Sequence, residues 1–112
     1  MGMLSNIIHV RATGALALSE TFTPAGEVEL LSVRLHLSAA GGAAENYVIT
    51  IDSGTATAYD VALSTSAMAA LADVTWIPDT PLHIQNGDEV DFTYTNSNAR
   101  TWGLEYVYRK LY

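Results

Sequence analysis

The chain has 112 residues, of which 49% are hydrophobic and 15% charged, and twelve acids against five bases give a formal net charge of -7. That length makes one domain whose core needs neither metal nor disulfide, and there is no cysteine to form one. The bases Arg11, Arg34, Arg100, Arg109 and Lys110 are scattered, which argues against a nucleic-acid partner, and no apolar run reaches the ~18 residues of a membrane span.

The dominant hydrophobic period is two. Ile7 to Ala12 and Ala15 to Phe22 read as strands separated by Gly14, and Pro24-Ala25-Gly26 follows as a turn. Glu29 to Ser38 is the clearest strand, with Leu31, Val33, Leu35 and Leu37 on one face and Ser32, Arg34, His36 and Ser38 on the other. Ala39 to Glu45 is loose enough for a mobile loop. Tyr47, Ile49 and Ile51 alternate again, as do Tyr59, Val61 and Leu63.

Ser64 to Leu71 reads as one short helical turn, capped by Ser or Thr, with Met68 and Leu71 sharing a face. Strands follow at Val74 to Ile77, Leu82 to Gln85, Val90 to Tyr94 and Trp102 to Tyr108, punctuated by Pro78-Asp79, Asn86-Gly87-Asp88 and Asn96-Ser97-Asn98. Asn86-Gly87 supplies a turn with positive φ. A last strand as apolar as Trp102, Leu104, Tyr106 and Tyr108 belongs inside a sheet or against another subunit. The expectation is an all-β protein, a jelly-roll-like β-sandwich of about eight antiparallel strands with one short helical turn, forming a single domain over residues 1–112. Met1 to Asn6 has no basic lead into an apolar stretch, so the expected product is soluble, without an export or membrane segment.

Catalytic chemistry has little to stand on. No serine lies in a nucleophile elbow or a Ser-x-x-Lys helix start, and His9, His36 and His83 each lie in a strand, where a solvent-facing or hydrogen-bonded role is the economical reading. Their spacing does not suit zinc. Asp52, Asp79, Asp88, Glu89 and Asp91 could converge at one end of a sandwich as calcium ligands, but turn acids that bond the local backbone account for them more simply. Glu29, Glu89, Asp91 and Glu105 fall on the strand faces opposite the large apolar residues, where surface solubility explains them. Neither an enzyme nor a cofactor is expected.

The remaining signals concern association. Charge is scarce, and sixteen Ala, twelve Thr and eight Ser stand in its place, leaving a bland surface of the kind that copies of a protein cover. Aromatic residues are plentiful, and Trp76 and Trp102 are candidates for stacking on sugar rings if they are displayed rather than buried.

Glu29-Leu-Leu-Ser-Val-Arg-Leu-His-Leu-Ser-Ala-Ala40, Tyr47-Val-Ile-Thr-Ile-Asp-Ser-Gly54, Tyr59-Asp60, Asn86-Gly-Asp-Glu-Val90 and Arg100-Thr-Trp-Gly-Leu-Glu105 together resemble small virion structural proteins of tailed bacteriophages and prophages, over about Glu27 to Arg109. The resemblance implies a jelly-roll sandwich located in the virion, acting as a capsid decoration, cement, head-fibre or tail-adaptor component, with the major capsid protein or other virion proteins as partners and no enzymatic residues. A looser similarity, through Gly87-Asp88-Glu89-Val90, is to the trimeric jelly rolls of the C1q and tumour-necrosis-factor kind. It implies a homotrimer with Tyr106, Tyr108 and Tyr112 as candidate interface residues. The alternative function is a carbohydrate-binding module or receptor-binding fibre tip that uses Trp76 and Trp102.

Overall fold

The computed structural model describes residues 6–112, which form a sandwich of two antiparallel sheets. The strands are β1 (Ile7–Gly14), β2 (Leu18–Phe22), β3 (Val28–Leu37), β4 (Asn46–Asp52), β5 (Val61–Ala67), β6 (Asp73–Trp76), β7 (Leu82–Ile84), β8 (Glu89–Tyr94) and β9 (Trp102–Lys110). One sheet has the order β1-β9-β3-β6, with β7 also paired to β3, and the other has the order β2-β8-β4-β5. This is the jelly-roll order, with β6 and β7 as two halves of one edge strand: β6 pairs with Val33 to His36, and β7 with Val28 to Leu30. Pro78 and Pro81 lie in the break, where a residue without an N–H cannot continue a ladder.

The alternation read from the sequence becomes rows of facing side chains. Val10, Tyr106, Val33 and Trp76 form one inward row across β1, β9, β3 and β6, and Ala12, Leu104, Leu35 and Val74 form the next. From the other sheet Leu18, Phe22, Tyr47, Ile49, Val90, Phe92 and Tyr94 close the core. Phe22 lies 4.5 Å from the Tyr108 ring and 5.0 Å from that of Tyr106, and Phe92 stacks on Tyr106 at 5.1 Å. These contacts tie β2 and β8 to the central strand β9.

Two local expectations are corrected. Ser64 to Ala67 continues β5 and pairs with β4, and the helical turn among the described residues is a 3-10 turn at Thr57–Tyr59. Ser64 to Ala67 is held as strand, with Met68 to Leu71 turning after it, because Met68 is fully buried and its N–H bonds the Glu45 carbonyl, a tertiary contact that outweighs a short helix's weak propensity. In β3 a bulge between Leu30 and Ser32 resets the alternation, so Val28 and Leu30 face inward and Leu31 does not.

Loop 39–45 is anchored rather than loose. Gly41 donates to the Met68 and Leu71 carbonyls, Asn98 Nδ2 donates to the Gly41 carbonyl at 2.8 Å, and Arg100 Nε donates to the Ala40 carbonyl at 2.9 Å. A Cβ at Gly41 would lie 2.5 Å from the Tyr94 hydroxyl, so only glycine fits there. Gly87 has φ 98°, as its turn requires.

Candidate functional site

The two outer faces carry different chemistry. Four of the five bases and all three histidines lie on the strands of the β1-β9-β3-β6/β7 sheet, whereas β2, β4, β5 and β8 contain neither Lys nor Arg.

On the first sheet's outer face, register sets Arg11, Glu105, Arg34 and Thr75 side by side in one row, and Thr13, Gly103, His36 and Asp73 in the next. Arg11 Nε lies 2.5 Å from Glu105 Oε2, Arg34 Nη2 binds Glu105 Oε1, and His9 Nδ1 approaches within 3.9 Å. The Glu105 side chain is only 8% exposed, whereas those of Arg11 and Arg34 are 77% and 59% exposed. A carboxylate on a sheet's solvent face is thus buried by the two guanidiniums that neutralise it. His36 Nδ1 lies 2.5 Å from Asp73 Oδ1, His83 Nε2 lies 3.0 Å from Glu27 Oε1, and Arg109 donates to Glu29 at 3.1 Å.

On the second sheet's outer face, carboxylate oxygens of Asp52, Glu89 and Asp91 lie within 4.8 Å of one another. Thr21 donates to Asp91 at 2.8 Å and Thr23 to Glu89 at 3.2 Å. Glu89 titrates above the ordinary carboxylate range, chiefly because its protonated form hydrogen-bonds Asp52, with partial burial and the charge of Asp91 adding to the effect and Thr23 opposing it. Asp79 does not join this trio. Asp60 and Asp88 instead accept from the backbone N–H groups of Ser53 and Gly54, the turn role expected of such acids.

The sandwich's two long sides carry the exposed apolar residues. A connection of three residues keeps β1 beside β2, and one of five keeps β6 beside β5. Leu16, 81% exposed, marks one end of the β1/β2 side, and Ile7, at the other end of edge strand β1, follows the outward parity of His9 and Arg11. Leu71 marks one end of the β5/β6 side, while Tyr59, Val61 and Ile77, between 54% and 66% exposed, mark the other. Leu16 and Leu71 share an end: the Trp102 indole donates to the Leu16 carbonyl, and Leu37, which pairs with Trp102, donates to the Ala72 carbonyl.

The aromatic candidates divide between the core and the surface. Tyr106, 8% exposed, is a core residue stacked on Phe92, and Tyr108, partly buried, packs on Phe22. Tyr112 is exposed, lies against Gly26 and carries Lys110 Nζ 4.8 Å from its ring centroid. Trp102 is 5% exposed and lies over Gly14, where a Cβ would meet the indole at 2.7 Å. Trp76 faces inward, half-buried beside Val33. Neither indole is displayed for stacking on a sugar. Both tryptophans alternate with aliphatic residues, the pattern of core positions. Sequence reasoning missed the Glu105 cluster, whose partners are far apart in the chain.

No family model matches the chain. No curated protein matches it in sequence either. Among solved structures it is similar to the core of Drosophila NLP, a nucleoplasmin core, with a TM-score of 0.52 and 15% identity over 93% of this chain and 98% of that one. That structure is described for the insight it gives into pentamer formation and histone binding. The similarity bears out the β-sandwich and overturns the assignment to a phage virion component, its carbohydrate-binding or fibre-tip alternative, and the trimer and capsid partners that went with it: the relative in fold is a histone-binding pentamer.

Proposed function

We propose that the chain is a self-associating binding scaffold rather than an enzyme. Its protomers stand side by side, all the same way up, in a closed ring of five, the copy number of the pentamer whose formation the NLP-core structure addresses. The observation that carries this reading is the match between the two long sides. Joining the β1/β2 side of one copy to the β5/β6 side of the next sets Leu16 against Leu71 at one end, and brings the start of edge strand β1 towards Tyr59 and Val61 at the other. Such a heterologous contact closes into a ring when the rotation per copy divides a full turn. Glu20, on edge strand β2, shares its row with Phe92 and Ile49. An inward-pointing charge at an edge discourages strand-to-strand pairing, so the contact is made through side chains.

The ring offers its acid-only outer faces to a basic polypeptide. The net charge of -7 and the absence of Lys and Arg from β2, β4, β5 and β8 support that choice of partner.

Native mass spectrometry and sedimentation velocity over roughly 1–100 μM, the range of ordinary protein association, test the ring. A five-copy species is the expected result, and a monomer throughout overturns the reading. A lysine-rich peptide should bind with an affinity that falls as salt rises and that Asp91→Asn weakens.

A further inference from the structure

We propose that the outer face of the β1-β9-β3-β6 sheet holds a binding site for a small phosphate-bearing ligand, seated on Gly103 beside the row of Arg11 and Arg34. This site is independent of the ring, because it lies on a sheet face and not on the sides that join copies. The groove there encloses about 690 Å³, within the size range of small-molecule pockets.

Its shape comes from one missing side chain. Gly103 is flanked across the sheet by Thr13 on β1 and His36 on β3, strands that stand roughly 10 Å apart because β9 lies between them. A Cβ built on Gly103 meets nothing within 4 Å, so the glycine is required neither by a close neighbour nor by positive φ. A β-strand gains nothing from a glycine there, and what the glycine leaves is an open floor.

The chemistry comes from the neighbouring row. Arg11 spends Nε on Glu105 and Arg34 spends one Nη2 hydrogen, and the other guanidinium N–H groups of both have no acceptor among the described residues. Glu105 fixes both side chains and, with Asp73 across the groove, balances their charge, so what the groove offers an oxyanion is a set of unspent N–H donors already oriented. Donors approach from β1 on one side and β3 on the other, and a tetrahedral oxyanion has oxygens for both sides and for His36, whereas a carboxylate has only two.

His36 adds discrimination. In the tautomer whose Nδ1–H donates to Asp73, the His36 ring offers Nε2 as an acceptor in the same groove. Hydrogen phosphate and a phosphate monoester monoanion carry a P–OH that can donate there. Sulfate has no such proton.

The test is a ¹H–¹⁵N NMR titration of the full chain with inorganic phosphate at constant ionic strength. The expected result is saturable shifts centred on the Gly103 amide, with a Kd of about 1 mM or tighter. Sulfate and acetate should each bind several-fold more weakly. Arg34→Gln should weaken phosphate binding about tenfold, as the loss of one charge-assisted hydrogen bond predicts. Gly103→Val should abolish saturation without lowering the melting temperature, because its side chain enters open space; should that variant fail to fold, Arg34→Gln decides. Phosphate binding that does not saturate below about 50 mM, equal binding of acetate or sulfate, or an unchanged Kd in the Arg34 variant overturns the proposal.

Discussion

The indole N–H of Trp102 donates to the carbonyl of Leu16 at 2.9 Å, and Asn96 Nδ2 donates to the same oxygen at 2.9 Å. A buried ring on the central strand thereby fixes the backbone of the residue whose side chain is, among the described residues, the most exposed of the large apolar ones, at 81%. An exposed leucine held in place costs little entropy when a neighbour covers it.

Leu16→Asp and Leu71→Asp should therefore each break the ring while leaving the fold intact, since neither side chain is in the core. Mixing the two variants supplies a sharper test. The Leu71 variant keeps an unaltered β1/β2 side and the Leu16 variant an unaltered β5/β6 side, so the mixture should form a heterodimer that neither forms alone, seen as a single new mass in native spectrometry. A two-fold interface, which joins like to like, gives no such species.

Glu105→Ala should destabilise the fold by about 1–3 kcal/mol, because it leaves two guanidiniums facing each other across β9 without the carboxylate between them. Chemical denaturation at low and high salt measures this. The deficit should shrink at 1 M salt, where repulsion between the exposed arginine heads is screened; a deficit that does not change with salt would contradict the electrostatic account.

Alkaline stability should be set by tyrosines. Burial raises the Tyr47 phenol well above its ordinary value of 10.0, and burial also raises that of Tyr106, with Tyr108 and Glu20 adding to it. The native state holds these protons after the unfolded chain has released them. The stability they contribute is thus complete below pH 10 and falls above it, by up to about 1.4 kcal/mol per pH unit for each group still protonated. Tyr47→Phe should flatten the decline by one such slope. At neutral pH it should shift stability by less than about 1 kcal/mol, because the Tyr47 hydroxyl is buried without a hydrogen-bond partner among the described residues. Urea melts from pH 7 to 11.5 measure both effects, and superimposable profiles for the two proteins would refute the assignment.

Asp52→Ala should bring the titration of Glu89 down towards the ordinary carboxylate range, as followed by side-chain ¹³C shifts, since the hydrogen bond to Asp52 is the largest cause of its elevation. The sign for stability follows from the raised value: the native protein favours protonated Glu89, and that contribution is lost as pH rises through the native pKa. The variant should lose less stability than the parent across that interval.

Much of this was legible before any coordinates. The inward set of β9, the core side of β4 and β8, and the glycine turn before β8 all follow from period two and local turn chemistry. The bulge at Leu31 was not, because an extra residue leaves no mark on an apolar run in which both Leu30 and Leu31 are acceptable inside. Nor was the fate of Ser64 to Leu71, where alanine content favours a helix but pairing with β4 makes Ser64 to Ala67 a strand and the rest a turn. The carboxylate cluster was half visible: parity placed Glu105 and Arg34 on the outer face but said nothing of their meeting.

Alternation along the chain therefore determined which side chains turn inward, and with that the class of fold, because a pleated strand has only two faces to assign. The pairing of strands was decided by tertiary structure alone. Arg11 and Arg34 reach Glu105 from 94 and 71 residues away, and whether they flank it or miss it depends on a register in which one step exchanges the two faces. Local sequence cannot express that choice, since the energy selecting it is the burial of the whole inward set at once.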